Sequence, residues 1–232
     1  FTDVETSKEE ALFKLSQYVN NTLRVKKLTT KRIQVIKANK PKYQTVYLDL
    51  GHKSDAIEKL TNEKCNVVVV PFDTDYQKIL SYKPNGIIVS DGPDTPEQLP
   101  NVVETIKNLI GKVPMIGVGL GHLLIALASG AEVTKMKFGH HGTNQSVKNV
   151  LTGKILITSQ SHLYEVKHEG LENTQLEVTH VNLNDDSIEG LENKELNIIT
   201  SHFEPKDSSG SQENESLYDQ FINMMNNFKG GK

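Results

Sequence analysis

The sequence predicts an α/β domain: an open, mostly parallel sheet with helices on both faces. Three observations point there. Short apolar runs at Thr45–Leu50, Val67–Val70, Gly86–Val89 and Met115–Val118 alternate with helical stretches at Ala56–Glu63, Val102–Ile110 and Gly121–Ala128. The runs are apolar on both faces, as strands are when helices cover a parallel sheet from each side. A glycine-rich turn follows the last run directly, at the carboxyl end of a strand, where open α/β sheets bind their ligands.

Each element has its own warrant. Ser7 to Val19 reads as a helix, with Ser7 and Glu10 as a capping box and Ala11, Leu12, Leu15 and Val19 as one apolar stripe. The basic stretch from Lys26 to Lys42 lacks interleaved aromatics and reads as a solvated linker rather than a nucleic-acid patch. Residues 1–41 are expected to be a helix and basic linker, and residues 42–232 the main domain. A more β-like half follows, with candidate strands at Ile155–Thr158, Leu176–Val181 and Asn197–Thr200. Lys206 to Glu215 is polar and reads as a surface loop. The chain closes on a helix capped by Ser216, lined by Leu217, Phe221, Met224, Met225 and Phe228, and stopped by Gly230.

Bulk properties narrow the function classes. The chain has 232 residues, 36% hydrophobic and 24% charged, which is the composition of a globular protein. A net charge of -3 argues against a nucleic-acid partner, and no run approaches a membrane span. The single cysteine, Cys65, cannot form an internal disulfide and points to the cytoplasm. Because the first residue is Phe1 rather than Met, a longer parent polypeptide is expected.

The most informative segment is Gly117-Val118-Gly119-Leu120-Gly121-His122. Glycine-x-residue-x-glycine between a strand and a helix is the spacing of a nucleophile elbow, whose strained turn thrusts its central side chain outward. The amide after that position, on Leu120, would help to hold an oxyanion. Here the central residue is Gly119, which has no side chain. A dinucleotide-binding turn fails because its third glycine would fall on His122. His202 and Glu204, two apart near the end, could act as base and orienting carboxylate. Gly92, in the turn Ser90-Asp91-Gly92-Pro93-Asp94, offers a backbone that can approach a substrate closely. Cys65 enters a buried strand and reads as a packed thiol. His140 and His141 are adjacent on a strand and face opposite ways, so no metal site is expected.

Together these residues resemble the class I (triad) glutamine amidotransferases, and within them the small, glutaminase subunit of carbamoyl-phosphate synthetase. The resemblance runs from about Lys42 onward, and it implies that residues 1–41 are the remnant of a separate, preceding amino-terminal domain. Its most specific stretch is Ala128-Ser129-Gly130-Ala131 with Lys135-Met136-Lys137-Phe138-Gly139-His140-His141-Gly142 and Asn144. Lys83-Pro84-Asn85-Gly86-Ile87-Ile88, Leu120-Gly121-His122 and Thr158-Ser159-Gln160-Ser161-His162 fit the same pattern. It implies a flavodoxin-like core and a catalytic set at Gly119, His202 and Glu204. It also implies substrate positions at Gly92, Leu120, Leu123, Ser161, Leu163 and Tyr164.

The departures carry equal weight. The family has cysteine at the position of Gly119, and that thiolate attacks the glutamine amide. It also has glycine at Asp94, glutamine at Leu123, asparagine at Ser161, glycine at Leu163, proline at Phe203, and a glycine soon after Glu204. The expectation is a pseudoenzyme: a chain like the small subunit but unable to hydrolyse glutamine, with its glutamine contacts weakened. No cofactor is expected on this chain, since the family places ATP on the large subunit, the implied partner. The product serves arginine or pyrimidine biosynthesis. The alternatives are an active glutamine-hydrolysing subunit, or a non-enzymatic binding or scaffold module.

Overall fold

The computed structural model describes residues 6–20, 23–51, 55–203 and 216–228. In chain order, α1 (Lys8–Asn20), α2 (Val25–Leu28), β1 (Gln34–Ile36), β2 (Tyr43–Asp49), α3 (Ala56–Asn62), β3 (Cys65–Pro71), α4 (Tyr76–Ser81) and β4 (Gly86–Val89) come first. Then come α5 (Pro100–Leu109), β5 (Met115–Val118), α6 (Leu120–Ala128), β6 (Val133–Asn149) and β7 (Ile155–Val166). The last elements are β8 (Glu177–Asn182), β9 (Ile188–Asn193), β10 (Ile198–Ser201) and α7 (Leu217–Asn227).

The ten strands among the described residues form one sheet in the order β1-β3-β2-β4-β5-β10-β9-β8-β6-β7. From β3 to β10 the pairing is parallel. Counted among themselves, these five strands run second, first, third, fourth, fifth, which is the flavodoxin-like order. The expected core is therefore present. Its residues alternate between two apolar layers, as the period of a strand requires. Val46, Leu48, Val68, Val70, Ile87, Val89 and Met115 face one layer, which includes α5 and α6. Tyr43, Tyr47, Val67, Val69, Ile88, Ile116 and Val118 face the other, closed by Ala56 and Leu60 of α3 and by Leu217, Phe221 and Met225 of α7.

Two expectations need correction. The basic stretch is not simply a solvated linker: β1 pairs antiparallel with β3, and Val25 is fully buried in the core. The β-like half is also larger than three short strands. Strands β6 and β7 make a long hairpin whose register shifts twice, and β9 enters between β8 and β10. Those shifts break the alternation, so in β6 only Met136, His140 and Val147 are buried. Helix α4, six residues capped by the Asp75 side chain, went unrecognised because it is too short to show a period.

The terminal helices behave as their caps dictate. Ser7 Oγ accepts from the Glu10 amide, while Leu12 and Phe13 are exposed and the side chains of Leu15 and Val19 lie outside those described. Ser216 and Asp219 form a reciprocal capping box on α7. The 206–215 loop and Gly230 lie outside the described residues. None of the described helices is long and apolar enough to cross a membrane.

Asp94 ties the amino-terminal segment to the sheet. Its side chain is completely buried and accepts from the amides of Arg24 (3.0 Å) and Val25 (2.7 Å), with the Arg24 guanidinium Nε at 3.5 Å. Asp94→Ala should leave both amides unsatisfied and cost about 2 kcal/mol. Trypsin cleavage at Lys26 and Lys27 should accelerate in that variant; an unchanged digestion pattern would mean that the carboxylate tethers nothing.

Candidate functional site

Four chain segments meet at the carboxyl ends of the parallel strands: the turn after β4, the elbow after β5, the residues after β10, and the middle of β7. They line a cavity of about 680 Å³. Its shape begins with the elbow. Gly119 has φ 55° and ψ −115°, a backbone that side chains rarely adopt. The flanking glycines are needed for contact rather than for torsion. A Cβ on Gly117 would lie 2.7 Å from the Gly121 carbonyl oxygen, and one on Gly121 would lie 2.2 Å from that of Val89. The Gly119 amide donates to Ser201 O at 2.9 Å, which fixes the elbow against β10 and brings His202 beside it.

The elbow points at a carboxylate. Asp91 Oδ1 accepts from the amide of Leu120 at 2.7 Å and from that of Gly92 at 2.8 Å. A Cβ placed on Gly119 would lie 2.2 Å from the same oxygen. Gly92 itself packs so closely under Leu50 that a Cβ would meet the Leu50 carbonyl oxygen at 2.5 Å.

Behind the elbow is a column of imidazoles. His202 stacks on His162 with ring centroids 3.6 Å apart, and on His122 at 4.8 Å; His140 meets His162 edge-on at 4.9 Å. His122 Nδ1 bonds Thr200 Oγ1 at 2.8 Å. Burial drives its pKa down to about 3. Burial also pushes His202 well below its ordinary value, helped by the neighbouring His162 and His122, so it is neutral. Both ring nitrogens of His202 lack a hydrogen-bond partner among the described residues.

At the foot of the column lies Glu189, fully buried. His140 donates to it through Nδ1 at 3.2 Å and to Asp185 through Nε2 at 2.9 Å. The bond to Glu189, opposed by burial and aided by Asp185, raises His140 to about 9, making it an imidazolium at neutral pH. Burial favours the neutral form of Glu189, but His140 and His162 outweigh it and hold its pKa below the usual carboxylate value.

The expected site residues are largely gathered here. Gly92, Gly119, Leu120, Leu123, Ser161, Leu163, Tyr164 and His202 all line the cavity; Glu204 lies outside the described residues. Leu123 is buried, while Leu163 is 46% exposed at the mouth. Cys65 is fully buried in the opposite apolar layer and its thiol is pushed up to about 12, so it is no nucleophile. His140 is buried and His141 exposed, as neighbours on a strand should be.

Sequence reasoning missed Asp91 and Glu189. Asp91 adjoins Gly92 in the turn, and that proximity was the signal available. Glu189 had none, because β6, β7 and β9 bring it to His140 and His162 from distant positions. Ligand atoms of these three residues lie within 4.8 Å of one another, a donor set of the kind zinc uses. A metal ion there would have to displace the His140 proton and its bonds to Glu189 and Asp185.

The cluster predicts a stability maximum near pH 6.5. His122 stays neutral in the fold down to about pH 3 whereas the unfolded chain takes a proton near 6.5, so stability falls on acidification below that value. His140 keeps its proton up to about pH 9, so its contribution is complete below 6.5 and lost as pH rises through 9. In urea-midpoint profiles, His122→Asn should make the acid limb shallower, His202 carrying the rest, and His140→Gln should flatten the alkaline limb. Limbs left unchanged in both variants would remove these imidazoles from the account.

Residues 46–224 match the model of the family described as "Glutamine amidotransferase class-I". The carbamoyl phosphate synthase small chain of Bacillus anthracis is 46% identical over 187 residues, covering 81% of this chain and 51% of that protein. The protein of the same name from a strain of Staphylococcus epidermidis is 41% identical over 213 residues, covering 89% of this chain and 58% of its own. This chain thus spans about half the length of the relatives it matches. Among solved structures, one from Thermoplasma acidophilum described as belonging to GMP synthase superposes with TM-score 0.64 at 19% identity, covering 79% of this chain and 92% of the other. A glutamine amidotransferase from Thermotoga maritima gives TM-score 0.56 at 12% identity, with 70% and 75% covered. These two show likeness of fold alone. With the family match covering most of its length and the elbow in the expected place, the chain belongs to the class-I glutamine amidotransferases.

Proposed function

We propose that this chain is the glutamine amidotransferase-like portion of a carbamoyl-phosphate synthetase small subunit, and one that does not hydrolyse glutamine. The observation that carries the second half is Gly119. Covalent amide hydrolysis needs a nucleophile at the elbow, placed between a base and a pair of amide donors. His202 is neutral and could accept a proton, but position 119 has no thiol from which to take one. Leu123, Ser161 and Leu163, where the family carries amide side chains or glycine, further weaken the case for glutamine binding.

Assignment to the small subunit rests on the identity to the Bacillus and Staphylococcus small chains. On this reading the partner is a synthetase large subunit that binds ATP and draws on free ammonia, in the cytoplasm, for arginine or pyrimidine biosynthesis. The chain then serves as a docked scaffold and carries no cofactor of its own.

The test is ammonia release from glutamine by the purified chain, alone and with a large subunit. The expected rate is at least about 10,000-fold below that of a small chain bearing the cysteine, the scale of loss when a triad member is removed. Carbamoyl phosphate should form from ammonium salts but not from glutamine. Release from glutamine at a rate matching the cysteine-bearing chain would end this reading.

A further inference from the structure

We infer that the Asp91 carboxylate is a built-in occupant of the oxyanion cradle, and that it and Gly119 form one interdependent pair. The inference deepens the reading above: the chain has lost not only a nucleophile but also the free amide donors that would serve one.

The geometry is specific. A cradle for a tetrahedral adduct is a pair of preorganised N–H donors about 2.7–3.1 Å from one oxygen, at the elbow's helix N-terminus. Leu120 and Gly92 supply such a pair, and both bonds, 2.7 and 2.8 Å, already end on Asp91 Oδ1. The bound oxygen also carries negative charge, as the oxyanion would. Helix α6 depends on it: Gly119 at its N-cap has no side chain to bond the first turn, so Asp91 supplies the missing acceptor from the turn after β4. A carboxylate there is favoured further by the positive end of the helix.

The same oxygen needs position 119 to be empty. A Cβ built on Gly119 would stand 2.2 Å from Oδ1, 2.3 Å from Cγ and 2.8 Å from Oδ2 of Asp91. No non-bonded carbon and oxygen approach so closely, so with a side chain at 119 the flexible Asp91 carboxylate is the group that swings aside. Expulsion breaks both amide bonds together. A thiol introduced by Gly119→Cys alone therefore meets a displaced carboxylate rather than an open cradle, and removing Asp91 alone opens the cradle without a nucleophile. Recovery of the amidotransferase geometry needs both changes.

The experiment compares the parent with Gly119→Cys, Asp91→Ala and the double variant, read by urea midpoint and by amide hydrogen exchange. Gly119→Cys should lower the midpoint in the parent and lower it by less in the Asp91→Ala background. Strain from the positive φ is common to both backgrounds and cancels. Additive shifts would overturn the inference. Should Gly119→Cys fail to fold, Asp91→Ala still decides: the Leu120 amide should exchange at least about tenfold faster than in the parent, as expected for loss of a bond to a charged acceptor. Unchanged protection would overturn the inference as well. Iodoacetamide adds a chemical readout, since Cys65 is buried with its thiol pushed up to about 12 and should stay silent. The introduced thiol should alkylate faster in the double variant than in Gly119→Cys. Equal rates would overturn the pairing. None of these readouts requires glutamine turnover, so ammonia release by the parent chain would refute the proposed function and leave Asp91 to be judged on its own results.

Discussion

The close approach of α6 to the ends of β4 and β5 constrains everything built at this site. Without room for a Cβ at Gly117 or Gly121, backbone packs on backbone, and the turn between them is forced to positive φ. This contact aims the helix N-terminus into the cavity and sets the Leu120 amide beside that of Gly92. It also holds the elbow against Ser201, which in turn places His202. The arrangement survives without a side chain at its centre because it is made from main-chain geometry, which Gly119 leaves untouched.

The polar groups around the elbow carry structural roles of their own. The imidazole column rests on Glu189, whose buried charge would be expensive without His140 as its counter-ion. Such a network supports the fold whether or not catalysis occurs. Asp94 is another case. A glycine at that position could not anchor anything, whereas the carboxylate fastens the segment that leads into β1.

The parallel core was legible because helices cover both of its faces, so its strands read as plain apolar runs. Gly86–Val89 and Met115–Val118 were even bounded correctly. Strand β6 was not legible: it carries Lys, Gly and His on a twisted, irregular hairpin, and its buried positions follow no period. In the site, the elbow could be read from spacing because its glycines lie close together in sequence. Asp91 was marked only by its place beside Gly92, since nothing local says that its carboxylate will also reach an amide 29 residues away. Glu189 was invisible for the same reason, its partners His140 and His162 lying far back along the chain on other strands.

The positive φ of the elbow has a consequence for how such a chain evolves. Any nucleophile held at φ 55° stores steric strain on the order of 1–3 kcal/mol, which an active enzyme tolerates for the sake of turnover. Glycine adopts the same torsion without that strain, so exchanging the nucleophile for glycine is downhill in stability at the moment activity stops being selected. Once the vacated volume is filled by a neighbouring charge, a reversion at 119 meets both the old strain and a new clash. On the proposed reading the loss then behaves as a ratchet, leaving descendants of such a chain free to explore new roles for the cavity but not to return easily to the old one.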